Sequence, residues 1–109
     1  GYQVSADNQK VVFCTDTGPC SNLKLLAKGA DVLITECSLP PGRVDNEWPH
    51  LNPQQAALVA RQAGAKKLFL AHFDAGVYFT KQDRLAAQKS ARKIFHNTWA
   101  ARDGLSIRI

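Results

Sequence analysis

No methionine occurs among the 109 residues, cysteines number only three, and aromatic side chains make up 8% of the chain. No apolar run approaches the roughly 18 residues that a membrane-spanning helix requires, and no charged-then-apolar leader precedes the first strand, so a soluble chain with no membrane partner is expected. Cys14, Cys20 and Cys37 form no CxxC pair and are odd in number, which argues against a disulfide framework and a zinc ribbon. A reducing compartment, and hence a cytoplasmic location, fits that usage; Cys14 and Cys37 read as small core residues within apolar strands. Internal repeats, low-complexity tracts and an interdomain linker are also missing, so residues 1–109 read as one compact unit. The chain opens on Gly1-Tyr2 inside what already reads as a strand, as expected of a piece of a longer protein, a processed product or a trimmed chain.

Acidic residues are scarce too. Nine Asp and Glu stand against fourteen Lys and Arg, for a net charge of +5, a balance that suits anionic substrates or nucleic acid. Much of the positive charge falls on one predicted helix at Lys81, Arg84, Lys89, Arg92 and Lys93, where a solvated face is the simpler reading.

Hydrophobic patterning predicts a hairpin over Gly1–Ser5 and Lys10–Thr15, followed by a short helix from about Ser21 to Lys28, capped by Ser21 or Asn22 and stopped at Gly29. Ala30–Thr35 is a near-continuous apolar run, as in a parallel strand covered on both faces. Ser38–Pro53 carries five prolines or glycines and few strand formers, which predicts a long irregular loop of a length that is usually functional or mobile. Asn52 and Pro53 then start a helix that ends at Gly64, Lys67–Ala71 is a strand, and Lys81 to about His96 is a helix with Leu85, Ala86, Ala91, Ile94 and Phe95 facing inward. Thr98–Ala101 and Leu105–Ile109 around Arg102-Asp103-Gly104 read as a second hairpin. Strands alternating with helices imply a sheet with helices packed on it, whose strand C-terminal ends share one edge.

Three ionisable side chains fall at those ends. Asp16 follows Val11-Val12-Phe13-Cys14-Thr15, Glu36 follows Val32-Leu33-Ile34-Thr35, and His72 follows Leu68-Phe69-Leu70-Ala71. Each alone has an ordinary explanation, a turn residue for Asp16 or a satisfied strand-end histidine for His72. Together, a carboxylate able to bridge two cations and a neutral imidazole read as part of a hydrolytic metal centre, although even one catalytic zinc needs about three protein ligands. His50 is either an incidental loop histidine or an acid/base group over the site, with Glu36 able to fix its tautomer. His96, at the end of the last helix, reads as a favourable C-terminal charge.

The ordered set Val-Val-Phe-Cys-Thr-Asp-Thr-Gly, Ala-Asp-Val-Leu-Ile-Thr-Glu-Cys-Ser, His50-Leu51-Asn52-Pro53-Gln54-Gln55-Ala56-Ala57, Lys-Lys-Leu-Phe-Leu-Ala-His-Phe and Ala-Arg-Asp-Gly-Leu-Ser-Ile resembles the C-terminal half of the metallo-β-lactamase superfamily, nearest the branch containing tRNase Z and related phosphodiesterases. The resemblance implies an α/β fold, half of an αββα sandwich with a mixed sheet, completed by the N-terminal half of the same domain. It implies Asp16 as a bridging ligand and His72 as a ligand of two divalent metal ions, zinc first with manganese or iron as alternatives. Glu36 and His50 would be the catalytic pair assisting attack of a metal-bound hydroxide on phosphorus. The family's His-x-His-x-Asp-His motif is absent from the chain, so these residues alone are expected to bind metal poorly and not to turn over. His50 is followed by Leu-Asn rather than Ser-Thr, and His72-Phe73 by Asp-Ala-Gly, departures that point from tRNA towards a smaller phosphodiester, nucleic-acid or small-molecule, or another ester. A non-catalytic relative that binds nucleic acid or protein through the basic helix is the alternative, and a homo-oligomer is left open.

Overall fold

The computed structural model describes residues 1–109. Its first two strands, β1 (Tyr2–Ala6) and β2 (Gln9–Cys14), form the expected hairpin with Tyr2 opposite Phe13 and Ala6 opposite Gln9. Asp7 and Asn8 make the turn with φ of 51° and 60°. These two residue types tolerate that left-handed conformation, which matches the twist of the flanking strands. Helix α1 (Ser21–Ala27), strand β3 (Val32–Glu36), helix α2 (Pro53–Ala63), strand β4 (Lys67–Ala71), helix α3 (Lys81–Arg92) and strand β5 (Thr98–Ala100) follow. The sheet runs β1-β2-β3-β4-β5, with β1 antiparallel to β2 and every later pair parallel.

Because spatial order follows chain order, successive right-handed crossovers lay all three helices on one face of the sheet. Val12, Cys14, Leu33, Leu68 and Leu70 point into that layer and meet Leu23, Ala27, Ala56, Ala60, Ala87 and Ala91 in one core. Small residues dominate the helix side, so the backbones can approach the sheet closely. Helix α2 is the best specified: Asn52 and Gln55 form a reciprocal capping box, Pro53 takes the first turn, and Gly64 closes the helix at φ 67°. At the opposite edge from the strand C-termini, Asp31 accepts from the Lys66 ammonium at 2.6 Å and the Lys10 amide at 2.7 Å. Those bonds, the lysine first, hold its carboxyl below the usual carboxylate value of 3.8. The depressed acid contributes stability above that value and loses it only as the pH falls further.

Several sequence expectations are corrected. Helix α1 starts after Cys20, which makes no side-chain capping bond, so neither Ser21 nor Asn22 caps it. Helix α3 ends at Arg92 rather than His96, because the amides of Ile94 and Phe95 both turn back to the Ala91 carbonyl at 2.9 Å. Its inward face is set by Ala87 and Ala91, while Leu85 and Ala86 are exposed. The second hairpin does not form. Thr98–Ala100 instead continues the sheet parallel to β4, extended by Ala101 N donating to Leu70 O at 2.7 Å, and Leu105–Ile109 has no strand partner. Its end is held instead by Gln9 Nε2 donating to Ile109 O at 3.1 Å, on β2. Arg92 is not a solvated cation either, since its Nε donates to Thr98 O at 2.7 Å and its guanidinium lies 5.7 Å from the Trp99 ring centre.

The other face of the sheet is apolar and open. Tyr2, Val4 and Phe13 are 75%, 63% and 43% exposed, too much large apolar surface for a finished face, and Phe69 stacks on Trp99 with ring centres 5.4 Å apart. No helix is long and apolar enough to cross a membrane.

Within β3, the Thr35 hydroxyl is buried without a hydrogen-bond partner. Thr35→Val is expected to stabilise the protein by about 1 kcal/mol, because it removes an unsatisfied polar atom at nearly constant shape. The urea midpoint reads this directly, and a lower midpoint in the variant would mean that the hydroxyl has a partner.

Candidate metal centre

Parallel pairing brings the ends of β2, β3 and β4 level, with Cys14 beside Thr35 and Glu36 beside Ala71. Asp16, Glu36 and His72 therefore meet at one edge. Both Asp16 and His72 take a left-handed backbone, at φ 51° and 48°. Such a φ costs an L-residue roughly 1–2 kcal/mol and persists only where the surroundings impose it. Here the turn is pinned on both sides: Thr17 N donates to Glu36 Oε1 at 2.6 Å, and Ser38 Oγ donates to the His72 carbonyl at 3.1 Å. The sharp turn lets each strand end present its side chain across the edge. Asp16 Oδ1 and His72 Nε2 lie 3.0 Å apart, with both side chains accessible.

Glu36 is fully buried and is spent on its neighbours. It accepts from Thr17 N, from His50 Nδ1 at 2.9 and 3.0 Å, and from Leu51 N at 3.1 Å. A carboxylate can only accept, so Nδ1 of His50 carries the hydrogen and Nε2 is left for the cleft. One potential ligand atom each from Asp16, Glu36 and His50 lies within 4.8 Å of the others. Three N–H donors already occupy the oxygens of Glu36, however, so this trio is not the ligand set. Asp16 and His72 fit better, since two donors on one tetrahedral zinc at about 2.05 Å stand about 3.3 Å apart, close to the separation seen. They would make two ligands of such a centre. Cys37 is not a third, because it is buried in the core against Tyr78 Oη at 3.5 Å and does not line the cleft.

The four residues singled out in the sequence are thus drawn together, His50 through Glu36 and Asp16 through His72. Asp16, His50 and His72 border a cleft of about 460 Å³ whose wall also includes Ser38, Arg43, Asp45, Trp48 and Asp74, with Glu36 buried behind it. Those five were not expected from sequence; only the length and proline content of the Ser38–Pro53 loop hinted at them. Loop and strand exit are in tight contact, since a Cβ on Gly18 would stand 2.6 Å from Cβ of Pro49, next to His50. A larger groove of about 600 Å³ lies between α1 and the end of α2. It is lined by Lys24, Lys28 and Arg61 but by no acid, histidine or cysteine, so it offers neither metal ligands nor a proton carrier near neutral pH. His96 is exposed beyond the end of α3 and takes no part in the site.

A family model described as beta-lactamase superfamily domain matches residues 1–73. Ribonuclease Z of Bacillus licheniformis is 41% identical over 95 residues, which cover 85% of this chain and 30% of that protein. Ribonuclease BN of Cronobacter sakazakii is 36% identical over 103 residues, covering 93% of this chain and 33% of that protein. Among solved structures, the metallo-beta-lactamase fold protein YhfI from Bacillus subtilis superposes with a TM-score of 0.81 at 25% identity, over 94% of this chain and 41% of the other. Human tRNase Z, short form, gives a TM-score of 0.64 at 27% identity, over 98% of this chain and 38% of the other. The chain therefore spans about 30% of the length of the curated relatives it matches.

Proposed function

Because the chain belongs to the beta-lactamase superfamily, a metal-dependent hydrolase family, we propose that it supplies the Asp16–His72 side and the proton-handling side of a site that hydrolyses phosphodiesters, RNA foremost. The observation that carries this reading is the joint placement, at one sheet edge, of the 3.0 Å Asp16–His72 pair and the buried Glu36–His50 dyad. Divalent ions held there, zinc first and two in number by the resemblance, would act as Lewis acids and make a bound water acidic enough to react near neutral pH. Further ligands must come from outside these residues. The Leu-Asn after His50 had pointed away from tRNA, but the Ribonuclease Z names among the relatives favour RNA as the substrate class.

Each residue of the chain has a separable task. Asp16 gives the negative charge and His72 the neutral imidazole that such ions require. Glu36 holds Nδ1–H of His50 and aims Nε2 at the cleft. In the imidazolium form, whose charge the Glu36 carboxylate offsets, Nε2–H can deliver its proton to the oxygen that leaves phosphorus and return to the neutral Nδ1–H tautomer. Ser38 and Thr17 hold the turns that present these groups. A purely non-catalytic role through the basic helix has less support, because Arg92 is engaged by Thr98 and Trp99.

The test uses the full-length protein, loaded with zinc or manganese and assayed on bis(p-nitrophenyl) phosphate and a short RNA. Hydrolysis that a chelator abolishes and metal restores is the expected result; none on either substrate overturns the reading. His50→Ala is expected to lower kcat by about 10²–10⁴-fold with metal content unchanged. An unaltered kcat would remove His50 from the reaction.

A further inference from the structure

Trp48 is 72% exposed, an unusual state for the largest apolar side chain. It stacks on no other ring. It lines the same cleft as His50, Asp16 and His72, together with Arg43, which forms no salt bridge. Neither residue is needed to hold the loop that carries them. That work is done by Asp45 Oδ1, which accepts from the amides of Glu47 and Trp48 at 3.0 Å, by Asn52 Nδ2 donating to Arg43 O at 2.8 Å, and by Gly42 N donating to Gln54 Oε1 at 3.2 Å. The two backbone bonds also hold the Asp45 carboxyl below the usual range. The backbone is fixed while an aromatic plane and a guanidinium are left facing the cleft.

We propose that Trp48 and Arg43 are the substrate-recognition element of this site, the indole stacking on the nucleobase next to the scissile phosphate and the guanidinium pairing with a neighbouring phosphate. With the backbone fixed, an indole has only two side-chain dihedrals to lose on stacking, and every base offers a π face, so such a platform selects nucleotides over other phosphate esters with little regard for sequence. Arg43 adds a bidentate anion contact of the kind phosphates favour. This rests on the phosphodiesterase reading for its kinetic test, and binding tests it independently.

In the full-length protein, Trp48→Ala is expected to raise KM about 5- to 100-fold for a short RNA with kcat nearly unchanged, and Trp48→Phe to restore most of the loss. On the same RNA made abasic at the residue beside the scissile bond, wild type and Trp48→Ala should have equal KM. Arg43→Ala should flatten the slope of log affinity against log salt by about 0.7–0.9. An unchanged KM in Trp48→Ala, or an equal penalty on the abasic RNA, overturns the proposal. Independently of turnover, adenosine monophosphate should quench tryptophan emission in wild type and not in Trp48→Phe, while ribose 5-phosphate quenches neither. Quenching without hydrolysis would sink the proposed reaction and keep the recognition element; hydrolysis indifferent to Trp48 would do the reverse.

Discussion

Asp16→Ala is expected to lower kcat/KM of the full-length protein for a phosphodiester by at least about 10³-fold, some 4 kcal/mol of transition-state stabilisation, and to reduce the bound metal measured by elemental analysis. The reason is placement as much as charge. Asp16 stands 3.0 Å from His72 at the one sheet edge where strands β2, β3 and β4 end together, and Glu36, the other acid at that edge, cannot replace it because it is committed to three N–H donors. Asp16→Gly separates function from stability. Glycine takes a φ of 51° without penalty, so this variant should lose activity as fully as alanine while gaining about 1 kcal/mol of stability. A left-handed aspartate kept at that cost is what a residue selected for its carboxylate should show. Hydrolysis surviving both Asp16→Ala and His72→Ala would falsify the metal-centre reading.

Glu36→Ala should be the most destabilising single change in the site, by about 3–5 kcal/mol in equilibrium denaturation. The substitution strands two backbone amides, those of Thr17 and Leu51, beside a side chain that is 0% exposed, and releases His50. Each orphaned amide costs about 1–3 kcal/mol, and the cavity adds to it. Glu36→Gln should fall between, because a carboxamide keeps one acceptor but turns its NH₂ towards one of the donors. Pairing Glu36→Ala with His50→Ala gives the coupling between them, about 1–3 kcal/mol for residues in direct contact. A loss below about 1 kcal/mol in Glu36→Ala would show that the amides find other partners, and the carboxylate would then have no structural role.

Much of the site was legible because it is written at strand ends. The runs before Asp16, Glu36 and His72 are apolar and short, and parallel pairing alone brings their ends level. Asn52, Pro53 and Gly64 likewise marked α2, since caps are local chemistry. What the sequence hid depends on distant partners. The α3 face through Ala87 and Ala91 competes with one through Leu85 and Ala86, and only packing against the neighbouring layer selects between them. Thr98–Ala100 joined β4 instead of folding back on Leu105–Ile109, because the free edge of β4 was nearer than a hairpin partner. Trp48 and Arg43 gave no periodic signal, as loop residues seldom do, and their place in the cleft appears only once the Asp45 and Asn52 bonds are drawn.

The monotonic sheet order has a consequence for how the molecule comes into being. From β3 onward each strand pairs with the one before it across a single helix, so every βα unit can dock as soon as it is made, without waiting for a distant segment. The hairpin and α1 present Asp16 first; β3 then brings Glu36, and α2 fixes His50 against it. His72 comes last of the four, on β4. Among these residues Asp16 meets His72 only once β4 has joined the hairpin and β3, so the 3.0 Å pair closes after the nucleus of the sheet is in place.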